Sequence, residues 1–120
     1  MLDHDAFWRG AALFDRGEFF EAHEVWEERW RVTEGACERV LLQGLIQVAA
    51  AFHKLFVSHS LDSAERLLCR GLAKLDASPE MVEGFNLAAF LAGLRQCGAD
   101  LSATQRDRSR LPRMIEPNTT

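Results

Sequence analysis

Residues 19–30 read FFEAHEVWEERW, from Phe19 to Trp30. A helix turns by about 100° per residue. At that pitch Phe19, Ala22, His23, Trp26 and Trp30 fall on one stripe, and Glu21, Glu24 and Glu28 fall on the opposite side. An apolar stripe backed by carboxylates marks an amphipathic helix laid against a core. Glu27 stands at the edge of the stripe, one turn beyond His23. The same stretch contains His23-Glu24-Val25-Trp26-Glu27, one residue away from the zinc-protease pattern H-E-x-x-H. Its inward-looking imidazole therefore raises a question of chemistry as well as of fold.

The flanking sequence extends the helical pattern. Upstream, a first helix begins near His4, with Asp3 as its cap and Leu2 stapled on Phe7. Phe7, Gly10, Ala11 and Phe14 share its inner face, and Gly17 is its stop. The second helix runs from about Glu18 to Val32, with Gly35 ending it. A third, from about Cys37 to Val57, is apolar nearly all round and so is the central helix. Gln43, Gln47, Ala50 and Lys54 make a narrow polar or small stripe along it, with His53 alongside. Gly44 and Ala49 to Ala51 lack bulk and admit a close neighbour.

Ser60 is placed to cap a fourth helix that ends near Leu75 and buries Ala64, Leu67, Leu68, Gly71, Leu72 and Leu75. Ser78-Pro79-Glu80 predicts the start of a short helix ending at Gly84. Asn86 caps another, with Leu87, Phe90, Leu91 and Leu94 inward and Gly98 at its close. From Ala99 the chain turns polar, with Leu111, Met114 and Ile115 to dock the tail and residues 116–120 fraying. No strand-like alternation of useful length occurs. The expected fold is all-α, a compact antiparallel bundle of about five helices. Residues 1–98 form the domain and 99–120 a partly docked polar tail. A faint echo between the approaches to the second and fourth helices, Arg16 to Ala22 and Ser58 to Ala64, hints at stacked helix hairpins.

Composition narrows the function. A chain of 120 residues with 48% hydrophobic content fits one packed domain. Its net charge of -4 argues against a duplex nucleic-acid binder. No apolar run is long enough for a bilayer and no leader opens the chain, so a cytoplasmic location is expected. Cys37, Cys69 and Cys97 are odd in number and widely spaced, which predicts buried free thiols rather than a disulfide framework or a metal-binding pair.

The chemistry concentrates on His23. An imidazole on an apolar face needs a hydrogen-bond partner. Glu27 is nearest in sequence, and the third helix offers Gln43, Gln47 and His53. Three readings follow. In the first, His23, Glu27, Gln43 and Gln47 form a structural network that fixes helix register. In the second, His23, Glu27 and His53 ligate a divalent ion such as zinc, manganese or iron, with Glu24 or a glutamine placing an activated water for hydrolysis. In the third, Trp26 and Trp30 roof a small-ligand pocket with Gln43 and Gln47 in its wall. A non-enzymatic interaction module that self-associates through an exposed apolar patch is the rival to an enzyme.

Gly17-Glu18-Phe19-Phe20-Glu21-Ala22-His23-Glu24-Val25-Trp26-Glu27-Glu28-Arg29-Trp30 and Leu42-Gln43-Gly44-Leu45-Ile46-Gln47-Val48-Ala49-Ala50-Ala51-Phe52-His53 together resemble the domain of unknown function family 309. Ala64 to Leu72 resembles its next helix, so the likeness covers about residues 5–97. The resemblance implies an all-helical bundle, a motif-derived label of metal-dependent hydrolase, and polar positions at Glu21, His23, Glu24, Glu27, Gln43, Gln47 and His53. The chain departs from the family in the turn after the third helix. It has His59-Ser60 and Ser63 where the family favours Gly-Asn and a further glycine.

Overall fold

Backbone turns set the helix boundaries. The computed structural model describes residues 4–82 and 84–115. Helix α1 spans His4–Asp15, and Gly17 then reverses the chain at φ +80, a left-handed value that a side chain resists. The expected cap at Asp3 and staple at Leu2 lie outside the described residues. Helix α2 is Phe19–Val32 and α3 is Ala36–Phe56. Gly35 does not stop α2: Thr33 is its C-cap, and Gly35 occupies the N-cap of α3. Thr33 Oγ1 also donates to the Arg29 carbonyl at 2.8 Å, which satisfies a carbonyl of the last turn.

Helix α4 is Leu61–Asp76, with Ser60 accepting from the Ser63 amide as expected. The approach to it is unusual. His59 takes φ +54, the left-handed region that a side chain resists. The short helix expected after Pro79 is absent. Instead β1, Met81–Val82, and β2, Phe85–Asn86, form a minimal antiparallel hairpin that pairs Val82 with Phe85. Two observations account for the difference. Ser78 Oγ donates back to the Lys74 carbonyl at 3.1 Å rather than capping a new helix. Gly84, at φ +81, makes a hairpin turn rather than a helix end.

Asn86 then caps α5, Leu87–Ala99, accepting from the Ala89 amide at 3.0 Å. The segment after Ala99 is more ordered than its polarity suggested. It folds into α6, Leu101–Arg106, and a 3-10 turn at Arg108–Arg110. Gln105 Nε2 donates to the Leu55 carbonyl at 3.0 Å. The Met114 and Ile115 amides donate to the Asp15 carboxylate at 2.7 and 2.8 Å.

The packed order follows the hydrophobic faces. Helix α3 lies between α2 and α4 and packs most extensively on α4. Gly44 and Gly71 set that crossing: a Cβ built on Gly71 would lie 2.9 Å from the Gly44 carbonyl oxygen. At the centre, the Phe14 ring meets Phe19 at 5.2 Å, Phe52 at 5.9 Å and Phe90 at 5.5 Å, joining α1, α2, α3 and α5. Each such fully buried ring contributes about 1.5–3 kcal/mol of burial free energy. The molecule is an all-α bundle of six helices among the described residues, with one two-residue hairpin. No helix among them is long and apolar enough to cross a membrane. The cysteines differ from expectation: all are free thiols, but only Cys97 is buried, while Cys37 and Cys69 are exposed. Neither exposed position lies on the inner stripe of its helix.

Candidate functional site

Helices α2 and α3 run antiparallel, so the start of α2 meets the end of α3. Phe19 packs on Phe56 at 5.8 Å, and Phe20 on His53 at 5.6 Å. At the other end the Arg39 guanidinium lies 4.1 Å over the Trp30 ring. His23 sits between these contacts, on the side of α2 that faces α3. Its side chain is 27% exposed, so the imidazole is aimed into the structure rather than at bulk water.

The polar groups pair locally. His23 Nε2 lies 3.2 Å from Glu27 Oε2, one turn along the same helix. The second oxygen of Glu27 accepts from Arg31 Nη2 at 3.1 Å. The row His23–Glu27–Arg31 is thus an i, i+4 ladder along α2. His23 Nδ1 is buried and has no hydrogen-bond partner among the described residues. The Phe20 ring stacks near His23, with centroids 6.1 Å apart, and also reaches His53, so one phenyl ring contacts both imidazoles.

The glutamines serve a different helix pair. Gln47 Oε1 accepts from Lys74 Nζ of α4 at 3.0 Å. Gln43 is half-buried on the same stripe, beside solvent. The expected network of His23 and Glu27 with both glutamines is therefore divided: the first two belong to α2, and Gln47 ties α3 to α4. Lys74 could not be foreseen as the partner, because that contact depends on the register between two helices 27 residues apart in the chain.

The tryptophans pack rather than roof a pocket. Trp26 is 0% exposed, lies directly against Gly10 of α1, and donates from Nε1 to the Phe7 carbonyl at 3.2 Å. It has no face left for a ligand. Trp30 is half-buried beneath Arg39, whose Nη1 donates to the Trp30 and Thr33 carbonyls at 2.9 Å each. Arg39, with an aromatic face below it and two carbonyls in reach, fastens the start of α3 to the end of α2. Glu21, Glu24 and Glu28 are exposed on the outer side of α2, as the helical phase required. With Glu27 and Arg31 they border an open acidic trough that is separate from His53.

A zinc, manganese or iron site needs three or more converging protein donors, or fewer with an open coordination position held by a second shell. Among the described residues no group of three or more His, Cys, Asp or Glu side chains is arranged to hold a metal ion. His23 and Glu27 are in contact with each other, Glu27 is shared with a guanidinium, and a phenyl ring lies against both His23 and His53. The donor set His23, Glu27 and His53 does not close around one point, and Glu24 is exposed on the outer side of the helix.

A family model described as "Domain of unknown function (DUF309)" matches residues 7–74. The chain belongs to the DUF309 family. The match runs from α1 into α4 and includes His23, Glu27, Gln43, Gln47, His53 and Lys74. No curated protein matches the chain. The DUF309 motif residues thus mark the α2–α3 seam and its tie to α4. Phe20, which lies outside the expected site set, is the residue that brings the two histidines of that seam together.

Proposed function

We propose that this DUF309 chain is a non-enzymatic interaction module that meets a second copy of itself at the end of the α2–α3 seam. The observation that carries the reading is the exposure of Phe20. Its ring is 48% exposed although it packs on His23 and His53. Val57, one turn beyond His53, is 59% exposed, and Leu61 at the start of α4 is 38% exposed. These residues stand where α3 turns into α4, beside the start of α2. An aromatic ring flanked by imidazoles and aliphatic side chains suits a contact between proteins, because it couples apolar area with polar rims. The engagement of Glu27 by Arg31, of Gln47 by Lys74 and of Trp26 by the core supports the same reading, since it leaves the motif residues structural tasks.

Sedimentation velocity over a concentration series tests this. The expected result is a reversible dimer, converted to monomer by Phe20→Ser with the helical circular dichroism intact. A wild-type chain that stays monomeric to its solubility limit would overturn the proposal. So would a dimer indifferent to both Phe20→Ser and Val57→Ser.

A further inference from the structure

A cleft lies where the α1–α2 corner faces the segment after α6. Its volume is about 290 Å³, near the lower end of small-ligand sites. Leu111 and Pro112 line its wall, which the core residues Phe14 and Phe19 also touch although they are nearly fully buried. Three arginines, Arg16, Arg108 and Arg113, complete it. In a chain of net charge -4 this is a local reversal: residues 106–113 read RDRSRLPR.

The acidic residues nearby pair with two of these arginines and leave out Arg108. The Asp15 carboxylate is directed inward, 4% exposed, and accepts from the Met114 and Ile115 amides; Arg113 Nη2 stands 3.9 Å from it. Glu18 holds Arg16 through Nε at 2.8 Å. Arg108 has no carboxylate partner among the described residues. Its guanidinium is instead held 4.4 Å over the Phe56 ring, which fixes its position without neutralising it. Gly17 makes room for it: a Cβ there would stand 3.1 Å from Arg108 Nη1.

We propose that this cleft binds a small organic oxyanion, a phosphate monoester or carboxylate on an apolar body, with Arg108 and Arg113 on the head group and Leu111 and Pro112 beside the body. The chemistry is that of guanidinium forks, which pair with two oxygens of one anion at once. Apolar walls set beside such cations favour a ligand with a hydrocarbon part over a bare ion. The cleft touches the seam at Phe19 but is not lined by Phe20, Val57 or Leu61, so the Arg108 and Arg113 variants test it separately from the self-association proposed above.

Isothermal titration of the full chain with phenyl phosphate, benzoate and inorganic phosphate tests it. The expected result is saturable binding of phenyl phosphate or benzoate, weakened about tenfold or more by Arg108→Gln and by Arg113→Gln. Inorganic phosphate should bind more weakly than phenyl phosphate. Whichever of the two aromatic anions binds more tightly identifies the preferred head group. Thermal melting of each variant separates loss of a contact from loss of fold: a variant that melts with the wild type and still fails to bind supports the site. Absence of saturable binding by both aromatic anions, or binding unchanged in both arginine variants, would overturn it.

Discussion

Replacing Gly10 with alanine should cost more than any other single methyl group added to this molecule. Gly10 faces inward on α1, and the Trp26 indole of α2 lies directly on it. A Cβ at position 10 would overlap the indole nitrogen and its neighbouring carbons. The ring has no free space to enter, because Trp26 is 0% exposed, and its Nε1 is committed to the Phe7 carbonyl one turn before Gly10. Relief requires α1 and α2 to separate or the indole to rotate. Overpacking of this kind costs about 1–3 kcal/mol. Loss of the indole hydrogen bond, with both partners still buried, adds about 1–3 kcal/mol. Against these stands a gain of about 1 kcal/mol from the higher helix propensity of alanine. The net expectation is a loss of about 3 kcal/mol, or roughly 10–15 °C in Tm for a domain of this size. Urea denaturation followed by far-ultraviolet circular dichroism measures it, and tryptophan emission reports whether the indole has moved. An unchanged or raised midpoint would refute the close packing of α1 on α2 described above.

Gly71→Ala should also destabilise, by about 1 kcal/mol, because its methyl group would meet the backbone oxygen of Gly44; Gly98→Ala, which meets only the tip of Leu68, should be neutral or stabilising in the same urea assay. His59→Gly should stabilise by about 0.5–1 kcal/mol, since it removes a left-handed side-chain conformation at the cost of greater freedom in the unfolded chain; a lowered melting temperature would contradict that backbone geometry. A colorimetric thiol reagent should modify Cys37 and Cys69 rapidly and Cys97 only on unfolding, because Cys97 is enclosed and its Sγ donates to the Arg110 carbonyl at 3.1 Å. Burial also raises the Cys97 thiol above its usual range, partly opposed by Thr104 and Arg110. The unfolded chain therefore loses that proton first, and this contribution to stability, complete below the ordinary thiol range, is lost as pH rises through the folded value. Alkaline melts of wild type and Cys97→Ala should show a steeper decline for the wild type. Elemental analysis of untagged protein should find zinc, manganese and iron well below one equivalent; a full equivalent that His23→Ala abolishes would restore a metal reading of the seam.

Helical phase carried much of the sequence reading, because it depends only on local geometry. It placed Phe19, Ala22 and Trp26 inward, left Glu21, Glu24 and Glu28 outward, and put Glu27 next to His23. The caps at Ser60 and Asn86 were equally local. What escaped depends on contacts distant in the chain. Gln47 had two helices to choose between, and only the Gly44–Gly71 crossing brings Lys74 to it. Trp26 has the composition of a binding residue, yet a glycine on another helix turned it into packing. The short α6 was hidden because six residues bury little apolar surface on their own. Its order rests on Thr104, whose single hydroxyl proton is within reach of the Cys97 and Asp100 carbonyls at 3.2 and 3.0 Å, and on Gln105 reaching back to α3. The hairpin after Pro79 was missed because a proline signal marks a helix start and a turn alike.

The tether between Asp15 and the amides of Met114 and Ile115 bridges about a hundred residues of chain. A ribosome makes the acid about a hundred residues before its amide partners. Throughout that interval the carboxylate must keep its hydration, and the corner where α1 meets α2 cannot settle into its final form. Assembly of this region thus waits on synthesis of the segment after α6, and a trimmed or crowded residue there would be felt at the α1–α2 corner.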